Sequence, residues 1–461
     1  MLSLTLVNPP QYTRYPQPPL GLALLAAILE DKGYPTTVLD ANALALRPEE
    51  VVPLAASADI VGITAMTPTV TTALEIARLI KRAAPGKTVV MGGAHATLLP
   101  EETLRAAPEI DCIVRGEGDV TTIDLLNALE QKRPLAEVAG LSYLKDGAVV
   151  HTADRAMLPD MDSLPFAAYH RLPLARYRPH PPHGRSMPFA AVVTSRGCPY
   201  RCAYCSKPVF GKKFRAQSAA RVVAELAYLK ERFKVREIAF YDDSFTLDKK
   251  RVHGIAEDIL KAGLKLAWTC ETRVNLVDRE LLRHMKQAGC YAVAYGIESA
   301  SSEIIKTLCK DTTLEQVESA VAASREAGLQ VVGYFMLGSP GETAGTIRQT
   351  IDLARRLKVD FAQFSMTMPF PGTELYEIYM KGRREDIPWD SFVYAGTDNP
   401  ATPVFESGDL DRQALEGWLR RAYRDFYLRP AYVWQRLMST RSLADIRMDF
   451  KGLGMLLKSV R

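Results

Sequence analysis

Three of the seven cysteines fall within eight residues, Cys198-Pro-Tyr-Arg-Cys202-Ala-Tyr-Cys205. Crowding of this kind is the distribution of a metal site and not of a disulfide framework, and it points to a reducing compartment. Three thiolates can wrap one iron–sulfur cluster, whereas ordinary cubane sites use four. The run therefore offers a cluster with one open iron position, where a substrate or cofactor would bind. The alternative is structural zinc, which needs a fourth Cys or His; His180 and His183, upstream of the run, are the candidates. Cys270, Cys290 and Cys309 stand singly in apolar strand or helix patterns and are expected to be buried, inert thiols.

The elements that must hold this run are legible around it. It follows an apolar strand at about Ala190–Thr194, the first of a series continuing at Glu237–Tyr241, Leu266–Cys270, Ala292–Ile297, Val331–Met336 and Phe361–Ser365. Helical patterns alternate with them near Arg221–Phe233, Lys249–Ala262, Asp278–Ala288, Thr313–Ala327 and Ala344–Leu357. Six repeats make an open, partial (β/α)6 barrel and fall short of the closed eightfold one, with chemistry expected at strand C-terminal ends. Those ends carry Tyr241-Asp242-Asp243, Glu271 and Arg273, Tyr295-Gly-Ile-Glu298 and Gly338-Ser-Pro-Gly341-Glu342. Asp243 and Glu342 also read as helix caps or first-turn acids. Glu298 and Arg273 are charges at the ends of apolar strands, so a ligand or an ion pair must satisfy them.

The first 150 or so residues read as a doubly wound parallel α/β sheet. Strands are expected at Leu2–Val7, Thr36–Leu39, Ile60–Thr64, Thr88–Met91 and Cys112–Val114, with helices at Leu20–Asp31, Val70–Ala83, Glu101–Ala107 and Thr121–Gln131. Ligands of such sheets bind at strand C-terminal ends. Here the ends are Asn8-Pro-Pro10, Thr64-Ala-Met-Thr67, Gly92-Gly93-Ala-His95 and Arg115-Gly116-Glu117-Gly118-Asp119. Four loops of this kind on one edge favour a bulky ligand over four plain turns. A hairpin at Gly140–Val150 closes the unit, and prolines from Pro159 to Pro188 mark an extended linker. The division is 1–152, 153–188, 189–371 for the barrel, and 372–461 for a mostly helical, basic C-terminal region with helices at Leu410–Tyr427 and Ala431–Leu457. From Arg412 to Arg461 eleven Lys and Arg face four Asp and Glu. A solvated amphipathic cap is one reading; contact with a membrane surface or anionic substrate is the other, since Leu453–Leu457 lies between Lys451 and Lys458.

Composition agrees with two or three globular units: 461 residues, 47% hydrophobic, 24% charged, net charge +5. It excludes disorder, collagen and coiled coil. Apolar runs such as Leu20–Leu29 and Val331–Leu337 are shorter than the roughly 20 residues that span a bilayer, and the start lacks a secretory signal. A soluble, cytoplasmic chain is expected. The charge outside the tail is slightly acidic, and no small all-β RNA-binding module is legible, so no nucleic acid is expected.

With Cys198-x3-Cys202-x2-Cys205 placed at the end of the first strand of a six-unit barrel, the stretch from about 189 to 371 resembles the radical S-adenosylmethionine (SAM) enzymes. The resemblance implies that Cys198, Cys202 and Cys205 ligate a 4Fe-4S cluster whose open iron chelates SAM. Reductive cleavage of SAM then gives a 5′-deoxyadenosyl radical. It implies SAM contacts for Tyr204, Asp242, Asp243, Glu271, Arg273, Glu298 and Gly338, the glycine letting the backbone approach the adenine. Asn8-Pro-Pro10, Pro18-Pro-Leu-Gly21, Gly92-Gly-Ala-His95 and Arg115-Gly-Glu-Gly118 together resemble the Rossmann-like cobalamin-binding domain fused ahead of the barrel in the cobalamin-dependent subfamily. This implies cobalamin contacts for Asn8, Pro10, Gly21, Thr64, Thr67, Gly92, Gly93, His95, Gly116, Glu117 and Gly118. The Asp-x-His-x-x-Gly loop that supplies an axial histidine elsewhere is absent, which implies a displaced nucleotide tail; His95 as an axial ligand is the alternative.

The resemblance implies an anaerobic C-methyltransferase working through methylcobalamin and the adenosyl radical. Its alternatives are oxidative cyclisation, ring contraction or lipid or tetrapyrrole modification on the same scaffold, and, from another class, a non-catalytic cobalamin-binding protein. A small-molecule or lipid-like substrate and a low-potential donor such as ferredoxin or flavodoxin are the implied partners.

Overall fold

The computed structural model describes residues 1–11, 15–179, 184, 186–381, 387–392, 402–406, 408 and 410–439, with backbone alone for 435–439. His180 and His183, and the basic tail from 440 onward with Leu453–Leu457, lie outside the described residues.

Five parallel strands, β1 (Leu4–Asn8), β2 (Thr36–Asp40), β3 (Ile60–Thr64), β4 (Thr88–Gly92) and β5 (Cys112–Val114), stand in the order β2-β1-β3-β4-β5. The antiparallel hairpin β6 (Leu141–Lys145) and β7 (Ala148–His151) extends the β5 edge. Side chains alternate faces along a strand. Leu4, Leu6, Ile60, Val90 and Val114 therefore share one core, while Val7, Val61, Ile63, Val89 and Met91 share the other. The first core is covered by α1 (Leu20–Asp31). The second is covered by α3 (Pro48–Ala55), which follows the short α2 (Ala41–Leu44), and by α4 (Val70–Ala83). Past β4 come α5 (Ala94–Leu98) and α6 (Pro100–Ala106); α7 (Gly118–Glu130) returns to the α1 face. Strand order reverses between β1 and β3, so the ligand crevice of such a sheet opens there.

Over residues 159–179 the proline-rich stretch is not an extended spacer. Prolines exclude long helices and central strands but permit single turns, and two 3₁₀ turns form at Tyr169–Arg171 and Leu174–Arg176. Tyr169 and Tyr177 are fully buried. The Tyr177 hydroxyl donates to Asp40 Oδ2 at 2.7 Å in the first unit, and the Tyr169 hydroxyl to the Ala191 carbonyl at 3.0 Å in the second. The stretch is a packed staple between the two sheets.

The second sheet is all parallel, in the order β15-β14-β13-β12-β11-β8: β8 (Phe189–Val192), then, past the short ribbon β9 (Ser195–Arg196) and β10 (Arg215–Ala216), β11 (Glu237–Phe240), β12 (Ala267–Thr272), β13 (Cys290–Glu298), β14 (Gln330–Leu337) and β15 (Phe361–Met366). Helices α8 (Ala219–Phe233), α9 (Lys249–Lys261), α10 (Arg279–Gln287), α11 (Ser302–Thr307), α12 (Leu314–Glu326) and α13 (Ala344–Arg356) alternate with the strands; α14 (Glu374–Met380), α15 (Arg412–Tyr427) and α16 (Pro430–Ser439) follow.

An open barrel leaves β15 as an exposed edge, a liability that covering elements remove. The hydroxyls of Tyr423 and Tyr427 on α15 donate to the carbonyls of Phe364 and Ala362 at 2.9 and 2.8 Å, and both also accept from those residues' N–H groups. Leu415, Ala422 and Phe426 are buried. Helix α15 is thus an amphipathic cap whose buried face closes the β15 edge of the barrel. No described helix is long and apolar enough to cross a membrane.

Candidate functional site: a cysteine loop against a glycine-walled cavity

The ribbon β9–β10, with Arg196 opposite Arg215, opens and closes the loop that carries the cysteines. Gly197 has φ +83°, and a Cβ there would lie 2.3 Å from the Lys213 carbonyl, so the turn into Cys198 admits only glycine. Cys198 is buried, Cys202 half-buried and Cys205 exposed. Three thiols on one loop fit a cluster with one open iron position. Among the described residues no group of three His, Cys, Asp or Glu is gathered closely enough to hold a single metal ion. Cys270 and Cys290 are buried as expected; Cys309 is half-exposed after α11.

Beside the cysteines lies a buried polar cluster. At the β13 end Glu298 adopts φ +66°, and its carboxylate folds back over Gly296, where a Cβ would sit 2.4 Å from Glu298 Oε1. Lys310 Nζ donates to Glu298 Oε1 at 2.5 Å and to the Tyr204 hydroxyl at 2.8 Å, and that hydroxyl donates to Glu298 Oε1 at 2.9 Å. Burial, then the Glu298 charge, pushes the Tyr204 phenol well above its ordinary range. The demand that Glu298 be satisfied is met here by an ion pair. Arg273 stacks 3.7 Å over the Tyr200 ring, reaches Cys202 Sγ at 3.2 Å and donates to the Lys310 carbonyl. Tyr204, Arg273, Glu298 and the cysteines are therefore brought together.

Other strand-end residues are engaged differently. Asp242 is spent within the fold, accepting from the Thr194 N–H at 3.1 Å and from the hydroxyls of Thr194 and Ser195. Asp243, next to it, is exposed. Glu271 accepts from the Tyr334 hydroxyl at 2.9 Å, and desolvation raises its pKa. Gly338 does have positive φ, +78°, but the space beside it is taken by Leu415 of α15, 3.0 Å from where a Cβ would stand. Its N–H donates to Glu342 Oε2 at 2.6 Å, and the close packing of α15 is itself reason for the glycine. Glu342 is not the cap of α13; Thr343 is.

In the first unit a cavity of about 550 Å³ opens at the β1/β3 reversal. Asn8, Gly21, Thr64, Gly92, Gly93, Gly116, Glu117 and Gly118 line it. An apolar arm continues under the sheet between Leu6, Gly62 and Val90 on one side and Leu22, Leu25, Leu125 and Leu126 of α1 and α7 on the other. Pro10, Thr67 and His95 are not in its walls. The buried His95 ring meets Thr67 Oγ1 through Nδ1 at 3.1 Å and packs edge-on against Trp389 at 4.8 Å. Desolvation lowers its pKa to about 4, so it is neutral. Glu117 faces the second unit: it pairs with Arg196 at 3.1 Å and Arg215 at 2.7 Å and accepts the Leu158 N–H at 3.0 Å. Burial opposes its ionisation, but Arg215, that N–H and Arg196 outweigh burial and hold the carboxyl below its ordinary range. Arg196 also pairs with Asp119.

The two sites share a wall, since Arg196, Val209 and Phe210 of the cysteine loop line the cavity. Sequence reasoning missed Lys310, Arg196, Arg215 and Gly62, and placed Asp119 in its loop without giving it a partner. The only signal for the first three was basic residues close to a site carrying unpaired acids.

A doubly wound domain whose ligand edge abuts a cysteine loop on an open barrel defines a class of enzymes that hold two cofactors at one gap. The B12 binding domain family matches residues 12–126, and the Radical SAM superfamily residues 192–354. The chain is 37% identical over 416 residues to the uncharacterized methyltransferase PH0819 of Pyrococcus horikoshii, covering 90% of this chain and 88% of that one. It is 30% identical over 425 residues to the anaerobic magnesium-protoporphyrin IX monomethyl ester cyclase of Rubrivivax gelatinosus, covering 90% and 75%. The fold matches the cobalamin-dependent radical SAM enzyme OxsB with aqua-cobalamin bound (TM-score 0.76, 17% identity, 100% of this chain and 72% of that one). It also matches the methyltransferase TsrM from Kitasatospora setae (TM-score 0.72, 20% identity, 94% and 90%). The chain belongs to the cobalamin-dependent radical SAM enzymes. Its cofactors are cobalamin, a 4Fe-4S cluster and SAM.

Proposed function

We propose that the enzyme methylates an unactivated carbon of a small or lipid-like substrate. The observation that carries this reading is the shared wall: the loop bearing Cys198, Cys202 and Cys205 also lines the cobalamin cavity. When bound, the cluster with SAM supplies a hydrogen-abstracting radical and cobalamin supplies the methyl group. The fold's contribution is to hold the two at one gap.

Residues 1–152 would form the cobalamin domain, 153–188 the staple, 189–371 the radical domain and 372–461 its C-terminal cover. The three cysteines would carry the cluster. Tyr204, Asp243, Arg273 and Glu298 surround them as the SAM-facing set, with Lys310 holding Glu298. Asn8, Gly21, Thr64, Gly92, Gly93, Gly116 and Gly118 would cradle the corrin, and the apolar arm between the sheet and α1/α7 suits the displaced tail. Asp242, Gly338, Pro10, Thr67, His95 and Glu117 take fold-building roles in this reading. A low-potential donor such as ferredoxin or flavodoxin would approach the exposed Cys205 side, in a reducing cytoplasm.

The second reading is oxidative cyclisation, favoured by the identity to the Rubrivivax cyclase. Mass spectrometry of SAM products separates the two, using anaerobically reconstituted protein with cobalamin, a low-potential reductant and host lysate. Accumulation of both S-adenosylhomocysteine and 5′-deoxyadenosine is expected for the methyltransferase. Only 5′-deoxyadenosine with methionine would replace it by the cyclase-type reaction.

A further inference from the structure

The four charges at the junction of the two units form a closed set. Glu117 and Asp119 come from the turn into α7; Arg196 and Arg215 are the cross-strand partners of the β9–β10 ribbon. Arg196 meets Glu117 at 3.1 Å and both Asp119 oxygens, the second at 3.3 Å. Arg215 meets Glu117 Oε1 at 2.7 Å and Oε2 at 3.0 Å, and donates to the Leu158 carbonyl at 2.8 Å. Side-chain exposures run from 4% to 11%. Two guanidinium groups and two carboxylates balance, and that balance is what makes burial of all four tolerable.

This arrangement is more than adhesion between domains. A ribbon with two residues per strand is far below the size that holds itself in place. The register of β9 on β10, and with it the path of the chain between Gly197 and Lys213, depends on the carboxylates that clamp both strands. Those carboxylates belong to the other unit. Glu117, Asp119 and Arg196 all line the cavity, as does Phe210, over whose ring the Arg196 guanidinium sits at 5.0 Å. A ligand that fills the cavity therefore presses on the same groups that set the cysteine loop. Fixed ion pairs between buried groups respond as a unit because removing one charge strands the others.

Building on the cofactor assignment above, we infer that Glu117, Asp119, Arg196 and Arg215 are positioning residues that couple occupancy of the cobalamin cavity to the state of the cysteine loop. The coupling is reciprocal: a cluster-loaded loop tightens cobalamin, and bound cobalamin alters the cluster's surroundings.

The test uses the full-length chain and hydroxocobalamin, followed by absorbance, in cluster-free and anaerobically cluster-reconstituted protein. For wild type the Kd is expected to tighten on cluster loading by about fivefold or more, the lower end of ordinary allosteric coupling. In Glu117→Gln the two Kd values are expected to agree within about twofold, since the charge that joins both arginines is gone. Asp119→Asn, which leaves the Glu117–Arg215 pair in place, is the second variant and is expected to lose part of the ratio. The electron paramagnetic resonance signal of the reduced cluster should move on adding cobalamin in wild type and stay put in Glu117→Gln. Equal Kd values in wild type, or an undiminished ratio in both variants, overturns the coupling while leaving the cofactor assignment intact. A wild-type chain that binds no hydroxocobalamin in either form overturns that assignment and the coupling with it.

Discussion

The cobalamin cavity and the cysteine-side cluster lie against one wall yet are built on opposite principles. The cavity is lined mostly by glycines and apolar side chains, with Glu117, Asp119 and Arg196 paired along one wall; the cluster beside Cys202 is a dense knot of Glu298, Lys310, Tyr204 and Arg273. Shape makes the first, and it exists as open space because small residues such as Gly62 leave it unfilled. Charge makes the second, in which Glu298 and Lys310 satisfy each other and Arg273 is held by the Tyr200 ring, Cys202 Sγ and the Lys310 carbonyl. The contrast teaches that a bulky cofactor would be received where side chains are omitted, whereas a small charged one would be received by charges held ready in a low-dielectric site.

The sharpest way to separate the two regions is Cys202→Ala. Loss of one of three thiolates should abolish SAM cleavage altogether while cobalamin binding persists; retained 5′-deoxyadenosine formation would contradict the cluster assignment. Next comes Lys310→Met. Removing this ammonium strands Glu298 in a nearly fully buried site, an event that costs about 3–5 kcal/mol. Thermal unfolding should shift down markedly, and Glu298→Gln combined with Lys310→Met should recover much of the loss. A Lys310→Met protein that unfolds at the wild-type temperature would show that the knot is not charge-built.

The cavity side is tested by filling it. A Cβ at Gly62 would meet only the end of the Leu6 side chain, at 3.0 Å, so Gly62→Leu can be accommodated by local adjustment while its own side chain occupies the apolar arm. Cobalamin affinity is expected to fall by on the order of 100-fold, the size of effect a few kcal/mol produces, with SAM binding little changed. Titration by absorbance checks it, and unchanged affinity would place the tail elsewhere.

What the sequence revealed and what it hid divide along the same line. Periodic segments were legible to the residue: Ile60–Thr64, Cys112–Val114, Leu20–Asp31 and Val70–Ala83 all stand where apolar spacing put them. The short helices α2, α3, α5, α11 and α14 were not, because four to eight residues give too few turns for a period to register. In α3 a Val-Val-Pro run also speaks against helix, and it forms because Pro48 starts it, Glu50 caps back onto the Arg47 N–H at 2.8 Å and Val51 is buried. Cysteines and strand-end acids announced the site, since their types are rare in such places. Their partners did not: Lys310 is an ordinary lysine until β13 folds Glu298 toward it, and Arg196 meets an acid 77 residues away. Gly338 shows the same limit, because its conformation was legible in its type while the neighbour that demands it, Leu415, lies on another element.

The last expected effect concerns a carboxyl that belongs to neither regime. Glu342 is 2% exposed and accepts the N–H groups of Gly338 and Ser339 through Oε2, while Oε1 is buried without a partner. Burial outweighs the two backbone donors and raises its pKa from 4.5 to about 7. A carboxyl that is more basic in the folded state binds more protons there than in the unfolded chain between those two values. Stability must then fall as pH rises from about 4.5 to about 7 and level off above, by up to about 3 kcal/mol. Glu342→Gln keeps an oxygen for the two N–H groups and cannot ionise. Its thermal midpoint should therefore gain on wild type as pH is raised from 5 to 8, with the gap opening through the same window. Parallel pH profiles for the two proteins would show that Glu342 ionises without penalty, and that its unpartnered oxygen finds water or a ligand that the charge knot beside Cys202 does not need.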